Sequence, residues 1–456
     1  MLFCSLFFLF IFLPITLILY FLLPIRFRNF FLLLASLFFY AWGEPFFVLV
    51  MIGAIVWNYL WGLVIGSTQQ KRSALIIGTT GNVLLLFYFK YLNFSISVIS
   101  QLLNFFGWPS WEIRHIFLPI GVSFFTFQCI SYLVDVYRDQ SLCRKNFIDI
   151  ALYISLFPQL IAGPIVRFGS ICGELDRRES SLRHAADGMQ RFIYGLGVKM
   201  LLANPAGSIA DAAFKIPAEQ LTQYQAWVGI VAYSLQIYFD FSGYSSMAIG
   251  LGKIFGFHFP ENFNYPYIAD SISDFWRRWH ISLSSWFRDY VYIPLGGSRV
   301  SERRTALNLL TVFFLTGIWH GAAWTFLVWG LWHGALLLVE KFIFRKYLPR
   351  WLMRIWTLAA VVNGWVFFRS DSLCGAFRYL RVMYGGNNAV SGITMMELTG
   401  YRWIVVIIAG ILLALPWTGK VREDRLWGRI LSVFILILAI SAIVNGIYNP
   451  FLYFRF

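Results

Sequence analysis

Residues 317–334 read GIWHGAAWTFLVWGLWHG, an apolar stretch in which Trp-His-Gly occurs twice, at His320 and His333. The chain has only six histidines in 456 residues. A neutral imidazole can take a proton from a hydroxyl near pH 7, so either ring could act as a general base. Gly321, Ala322 and Ala323 follow His320, and such small residues would leave room for a substrate beside the ring. A tryptophan-rich span end also suits a histidine that only sits in an interfacial aromatic belt. Metal binding is disfavoured. On one continuous helix the two histidines would lie roughly 140° apart in azimuth and about 20 Å apart along the axis. No His-x-x-x-His or Cys/His cluster assists them. A serine nucleophile is also disfavoured, because DFSGYSS (240–246) lacks the Gly-x-Ser-x-Gly elbow.

Other polar residues sit where lipid would penalise them. LQIYFDFSGYSSMAIGLG (235–252) places Gln236 and Asp240 at membrane depth. An intramembrane carboxylate needs a cavity or a partner, so Asp240 reads either as a substrate contact or as a helix-joining group. Gly243 and the neighbouring serines predict a local break in that helix. LPIGVSFFTFQCISYLVDVYR (118–138) carries Pro119, Gly121, Ser123, Thr126 and Gln128 in an apolar setting. In SISDFWRRWHISLSSWFRDYVYIPLGGSR (271–299), Ser271 and Asp274 have capping-box spacing. Trp276, Trp279/His280, Leu283, Phe287 and Tyr290 then recur on one helical face, and Pro294 with Gly296-Gly297 ends the helix. Two readings stay open: an interfacial amphipathic helix with snorkelling arginines, or an aromatic stripe that faces His280 into a polar cavity.

The elements that must hold these residues are membrane helices. The composition is 59% hydrophobic and 13% charged, against about 25% charged in soluble domains. Long apolar runs recur from Leu2–Ile25 to Leu431–Ile447. They predict an all-α polytopic membrane protein of about 10–12 spans, with short re-entrant or interfacial helices. The first run lacks a basic flank and a cleavage site, so it reads as a retained span. The net charge of +15 sits in short loops, the positive-inside pattern rather than a nucleic-acid footprint. Arg26, Arg28, Lys71, Arg72 and the cluster Lys341, Arg345, Lys346, Arg350 and Arg354 therefore read as cytoplasmic, with the N-terminus outside. This topology needs a hairpin of 30–42 and 46–65 through Gly43-Glu44-Pro45, whose first arm is marginal as a span. The polar stretch Gly169–Gln190 reads as a cytoplasmic loop with a short surface helix, and His184 as solvated. Five scattered cysteines give neither a disulfide framework nor a zinc site.

Together LPIGVSFFTFQCISYLVDVYR, FPQLIAGPIVRF, IYFDFSGYSSMAIGLG, NFNYPYIADSISDFWRRWHISLSSWFRDYVYIPLGGSR and GIWHGAAWTFLVWGLWHG resemble the membrane-bound O-acyltransferases. The nearest branch is that of alginate, peptidoglycan and cellulose O-acetylation. These stretches span about 118–334 in order. The resemblance implies one membrane domain over 1–456, with helices around a central funnel. It implies that His320 is catalytic and that His280 is the second signature polar residue, and it assigns no part to His333. The chain departs from the branch where Tyr244-Ser245-Ser246 replaces Tyr-Ser-Asp. Teichoic-acid D-alanyltransferases share both histidines, but YIPLGGSR (292–299) favours the acetylating branch.

The resemblance thus implies an O-acetyltransferase of a bacterial inner membrane. It would pass acetyl from a cytoplasmic thioester, acetyl-CoA, to an alginate-like exopolysaccharide or peptidoglycan, directly or through an extracytoplasmic esterase-like protein. His320 would take the acceptor's proton, and His280 would orient the acceptor or hold charge on the carbonyl oxygen. Gln236, Asp240, Trp276 and Trp319 would bind substrate or support the histidines. No bound cofactor or metal is expected. Within enzymes the runner-up is D-alanyl or longer-chain transfer. A transporter would show inverted repeats, and none is visible. A non-catalytic scaffold would tolerate replacement of His320.

Overall fold

The computed structural model describes residues 1–111, 115–344, 349–386, 400–416, 425–446 and 449–450. Every regular element among them is helical. A π turn, Phe8–Phe12, leads into α1 (Leu13–Leu22), followed by α2 (Ile25–Gly43) and α3 (Phe47–Ser67). Next come α4 (Lys71–Leu86) and α5 (Leu92–Phe105), joined by a π turn, then α6 (Val122–Arg138), α7 (Phe147–Ser155) and α8 (Phe157–Leu160). They are followed by α9 (Phe168–Asp176), α10 (Leu182–Val198), α11 (Asn204–Phe214) and α12 (Gln223–Ile254). The site region contains α13 (Ile272–Arg278), α14 (Ile281–Phe287), α15 (Glu302–His320) and α16 (Trp324–Val339). The last helices are α17 (Arg350–Arg369), α18 (Leu373–Met383), α19 (Arg402–Leu413) and α20 (Arg425–Asn445).

Among the described residues, six helices are long and apolar enough to cross a membrane, and Phe8–Leu22 and Trp403–Leu413 are shorter apolar helices. The chain is an all-α polytopic membrane protein. Some apolar runs that sequence counts as spans serve the protein interior instead. The run 147–162 becomes two short helices, α7 and α8, with every residue from Ile150 to Leu160 buried. The helix from Lys71 to Phe105 has 35 residues, or about 52 Å, more than a bilayer with its headgroups requires.

The backbone divides into two compact units, one of Met1–Gly188 with Ala248–Pro260 and one of Met189–Met247 with Glu261–Phe456. In the first unit α2 and α3 follow each other through Glu44-Pro45-Phe46, as the expected hairpin requires. Its first arm is longer than the apolar run suggests, because α2 starts right after Pro24 and reaches 19 residues. Asn58 on α3 and Asn82 on α4 exchange buried amide hydrogen bonds of 2.9 and 2.7 Å. Such pairs hold helices together where water cannot compete. The polar residues of 118–138 also face protein: Ser123, Thr126 and Gln128 are buried in α6, which begins after Gly121 at φ +78°. The polar stretch after Gly169 is not all solvated. Arg178 turns inward, donating to the Tyr20 hydroxyl and the Phe255 carbonyl at 3.0 Å each. Half-buried His184 is less solvated than expected.

The second unit corrects two local expectations. First, α12 does not break at Gly243 but runs unbroken for 32 residues. Gly243 serves a helix crossing: a Cβ there would lie 2.9 Å from the Gly195 carbonyl of α10. Absence of a side chain lets two backbones approach, as at other small-residue crossings in membranes. Second, 271–293 is not one helix. α13 ends at Arg278, His280 takes the left-handed conformation (φ 43°, ψ 54°), and α14 starts at Ile281. The predicted aromatic stripe is therefore split at its centre. The predicted stop holds, with positive φ at Gly296 and Gly297. Of the expected cytoplasmic cluster, Arg345 and Lys346 lie outside the described residues.

Candidate active site

Every candidate site residue belongs to the second unit. His320 is the last residue of α15 and is 3% exposed. Gly321 and Ala323 are extended, and α16 then runs back as the second arm of a hairpin. A Cβ on Gly317 would lie 2.5 Å from the Phe326 carbonyl and 3.3 Å from Gly330 Cα, so glycines let the arms touch through their backbones. The reversal removes the separation that a continuous helix would impose. Trp329 makes edge contacts with both His320 and His333, at ring-centroid distances of 4.9 and 5.3 Å. The space beside Gly321 is not left for a substrate, because a Cβ there would collide with the Phe326 ring.

Aromatic rings surround His320. Trp319 stands at 4.9 Å, Trp329 at 4.9 Å and Phe368 of α17 at 5.2 Å, all in edge geometry. Trp319 also meets His280, at 6.0 Å. His333 meets Trp276 at 5.2 Å. Imidazole and indole rings thus alternate in contact order: His280, Trp319, His320, Trp329, His333, Trp276. The structure joins four of the site residues expected from sequence, His280, Trp319, His320 and Trp276, and adds Trp329 and His333. His333 is fully buried, with Nε2 2.9 Å from where a Gly364 Cβ would stand. Its two ring nitrogens have no hydrogen-bond partner among the described residues. Phe241 closes on the His280 ring at 4.6 Å.

Gln236 and Asp240 lie one turn apart on α12. Gln236 is buried, and its Oε1 has no hydrogen-bond partner among the described residues. Asp240 is committed elsewhere: Lys199 Nζ donates to its Oδ1 at 2.5 Å. Lys199 also donates to Asn204 Oδ1 at 3.1 Å and the Pro450 carbonyl at 2.6 Å. Two opposite charges thus neutralise each other in a place where neither could stand alone. Asp240 joins helices.

Sequence reading passed over two residues that set the geometry at His280. Glu340, near the end of α16, is 3% exposed and receives Ile272 N–H, Ser273 N–H and the Ser273 hydroxyl at 2.5, 3.3 and 2.6 Å. It covers the exposed donors at the start of α13, where a carboxylate is favoured. The Ser271–Asp274 box is half formed: Ser271 Oγ accepts Asp274 N–H at 3.0 Å, but Asp274 turns to Arg278. Past the other end of α13, Asn262 accepts Ile281 N–H on its carbonyl at 3.0 Å, and its Oδ1 faces Ser282 and the His280 ring. Glu340 and Lys199 were open to the rule that exposed Asp240, an ionisable residue in an apolar run. Asn262 carries no such mark. Its neighbours in NFNYPY are ordinary loop residues.

The model of the membrane-bound O-acyltransferase family matches residues 79–377. The chain belongs to this family. The matched span contains His280, His320 and His333, together with Asn262 and Glu340. The chain is 43% identical over 422 residues to the probable alginate O-acetylase AlgI of Pseudomonas aeruginosa, covering 91% of this chain and 81% of that one. It is 39% identical to the Pseudomonas putida protein of the same name over the full length of both. A peptidoglycan O-acetyltransferase of Helicobacter pylori is 38% identical, over 83% of this chain and 79% of its own. This member of the membrane-bound O-acyltransferases is accordingly a membrane enzyme that transfers acyl groups to oxygen.

Proposed function

We propose that the chain transfers acetyl groups from a cytoplasmic thioester, acetyl-CoA, for O-acetylation of an extracytoplasmic polysaccharide, with His320 as general base. The observation that carries this reading is the enclosure of His320 by Trp319, Trp329 and Phe368, one indole ring away from His280. An imidazole walled by carbon keeps water from competing for the proton it takes. A thioester already has a good leaving group, so the acceptor oxygen is what needs activation. His320 would remove its proton as the oxygen attacks the thioester carbonyl. The thiol then departs, carrying a proton returned by His320. Alginate and peptidoglycan acetylation in the names of the relatives favours acetyl over D-alanyl or longer chains. The acceptor is the polysaccharide itself or an extracytoplasmic esterase-like protein that relays the group. The membrane would be a bacterial inner membrane, and the basic loops favour Arg26 and Lys71 on the cytoplasmic side with the N-terminus outside.

The test is transfer of radiolabelled acetyl from acetyl-CoA by the purified protein in detergent. General-base catalysis contributes about 10²–10⁴-fold, so His320→Gln, which keeps polarity but not basicity, should lose about that much. His333→Ala should retain much of the transfer. An active His320→Gln beside an inactive His333→Ala would move the base to His333. Transfer of D-alanine but not acetyl would reassign the donor.

A further inference from the structure

Asn262 is 1% exposed and lies in the extended stretch that follows α12. Its Oδ1 accepts Ser282 N–H at 3.2 Å and the Ser282 hydroxyl at 2.9 Å, and it stands 3.1 Å from His280 Nδ1. A backbone N–H can only donate, so the side-chain atom opposite Ser282 N–H is the amide oxygen, not the nitrogen. An oxygen there requires a hydrogen on His280 Nδ1. In the neutral ring Nε2 then carries the lone pair, and it has no hydrogen-bond partner among the described residues. The left-handed backbone at His280 is what brings Nδ1 to Asn262. Such a conformation costs a non-glycine residue about 1–3 kcal/mol and persists only where its surroundings impose it.

We propose that Asn262 is a positioning residue that holds His280 as the Nδ1–H tautomer and so offers the Nε2 lone pair to a polar hydrogen of the acceptor, other than the one His320 removes. This rests on the reading of His320 as base, and it decides between two parts for His280. A neutral ring in this tautomer has no N–H left for an oxygen gaining negative charge, so His280 orients the acceptor and does not stabilise the oxyanion. An amide suits this task better than a carboxylate, because it orders the ring without favouring its protonation. Two charged groups that adjoin the His280 contacts are already matched. Asp240, beside Phe241, is paired with Lys199, and Glu261, beside Asn262, receives both Arg191 nitrogens at 2.6 and 2.5 Å. Among the described residues, Asp274 and Arg278 of α13 pair with each other, and the next imidazole is His320, beyond Trp319.

Two measurements test the assignment. Asn262→Asp keeps the acceptor oxygen but adds a charge that favours the protonated ring, turning Nε2 into a donor. The ratio of kcat at pH 8.5 to kcat at pH 6.5 should exceed the wild-type ratio by at least about fivefold. Asn262→Ala should instead lower kcat about 10- to 100-fold with KM nearly unchanged, the usual scale for losing a histidine's orienting partner. A wild-type pH ratio in Asn262→Asp would reduce Asn262 to a structural residue. The second measurement needs no folded variant at that position: nitrogen NMR of histidine-labelled wild type, with the His280 signal assigned by its loss in His280→Gln. The Nδ1–H tautomer is expected, and an Nε2–H resting form would overturn the proposal. The NMR result stands whether or not acetyl-CoA proves to be the donor, so the two readings can fail separately.

Discussion

Helix α12 and the segment 271–293 invite opposite guesses, and the structure reverses both. α12 contains a glycine and three serines around Tyr244, yet stays helical through Gly243. The segment 271–293 has no glycine or proline inside it, yet it breaks at His280. Intrinsic propensity penalises glycine in a helix by only about 1 kcal/mol, which a close helix crossing easily outweighs. The break at His280 has no local cause. Glu340 ends the chain's freedom on one side of α13, and Asn262 captures the donors of Ile281 and Ser282 on the other. Polar residues in α12 bind helices together, whereas those at the break aim a ring.

Substitutions in the two regions should therefore fail differently, and the largest effect belongs to α12. Asp240→Asn leaves Lys199 buried without its counter-charge and should destabilise the protein by about 3–5 kcal/mol, read as lost monodispersity and a lower melting temperature in detergent. The pair Lys199→Met with Asp240→Leu should recover much of that loss. If Asp240→Asn is stable but inactive, Asp240 belongs to the chemistry and the contrast collapses. Next in size is Gly195→Ala, whose Cβ would stand 2.5 Å from the Gly243 carbonyl. Overpacking of this kind costs about 1–3 kcal/mol and should show in thermal unfolding, with transfer per folded molecule little changed. The smallest effect sharpens the other side. His280→Gly should be about 1–2 kcal/mol more stable than His280→Ala, because glycine accepts the left-handed backbone. Both variants should be defective in transfer. Equal stability would mean that the conformation at 280 relaxes once the ring is gone.

Sequence made the helical membrane architecture legible because lipid leaves a coarse mark: long apolar runs and basic loops. His320, His280 and their tryptophans could be named as candidates through the family resemblance, and the structure brings their rings into contact. What sequence could not supply was how they meet. The hairpin that brings His320 and His333 onto Trp329 depends on Gly317 facing Gly330, a contact between two helices rather than a property of either. Asp240 was visible as an anomaly, but its partner Lys199 was passed over in another apolar run. Asn262 was invisible for a plainer reason: an asparagine in a loop is unremarkable until its oxygen is seen to face a histidine.

The buried lysine has a consequence for how the chain is made. Lys199 meets Asp240 after 41 further residues but the Pro450 carbonyl only after 251. At about 5–20 residues per second, synthesis of the intervening chain takes roughly 10–50 s. During that interval the ammonium group has left the ribosome with the Pro450 carbonyl not yet synthesised. Pro450 thus acts as a late fastener, so a change at that position would act on assembly near α10 and α12, far back in the order of translation.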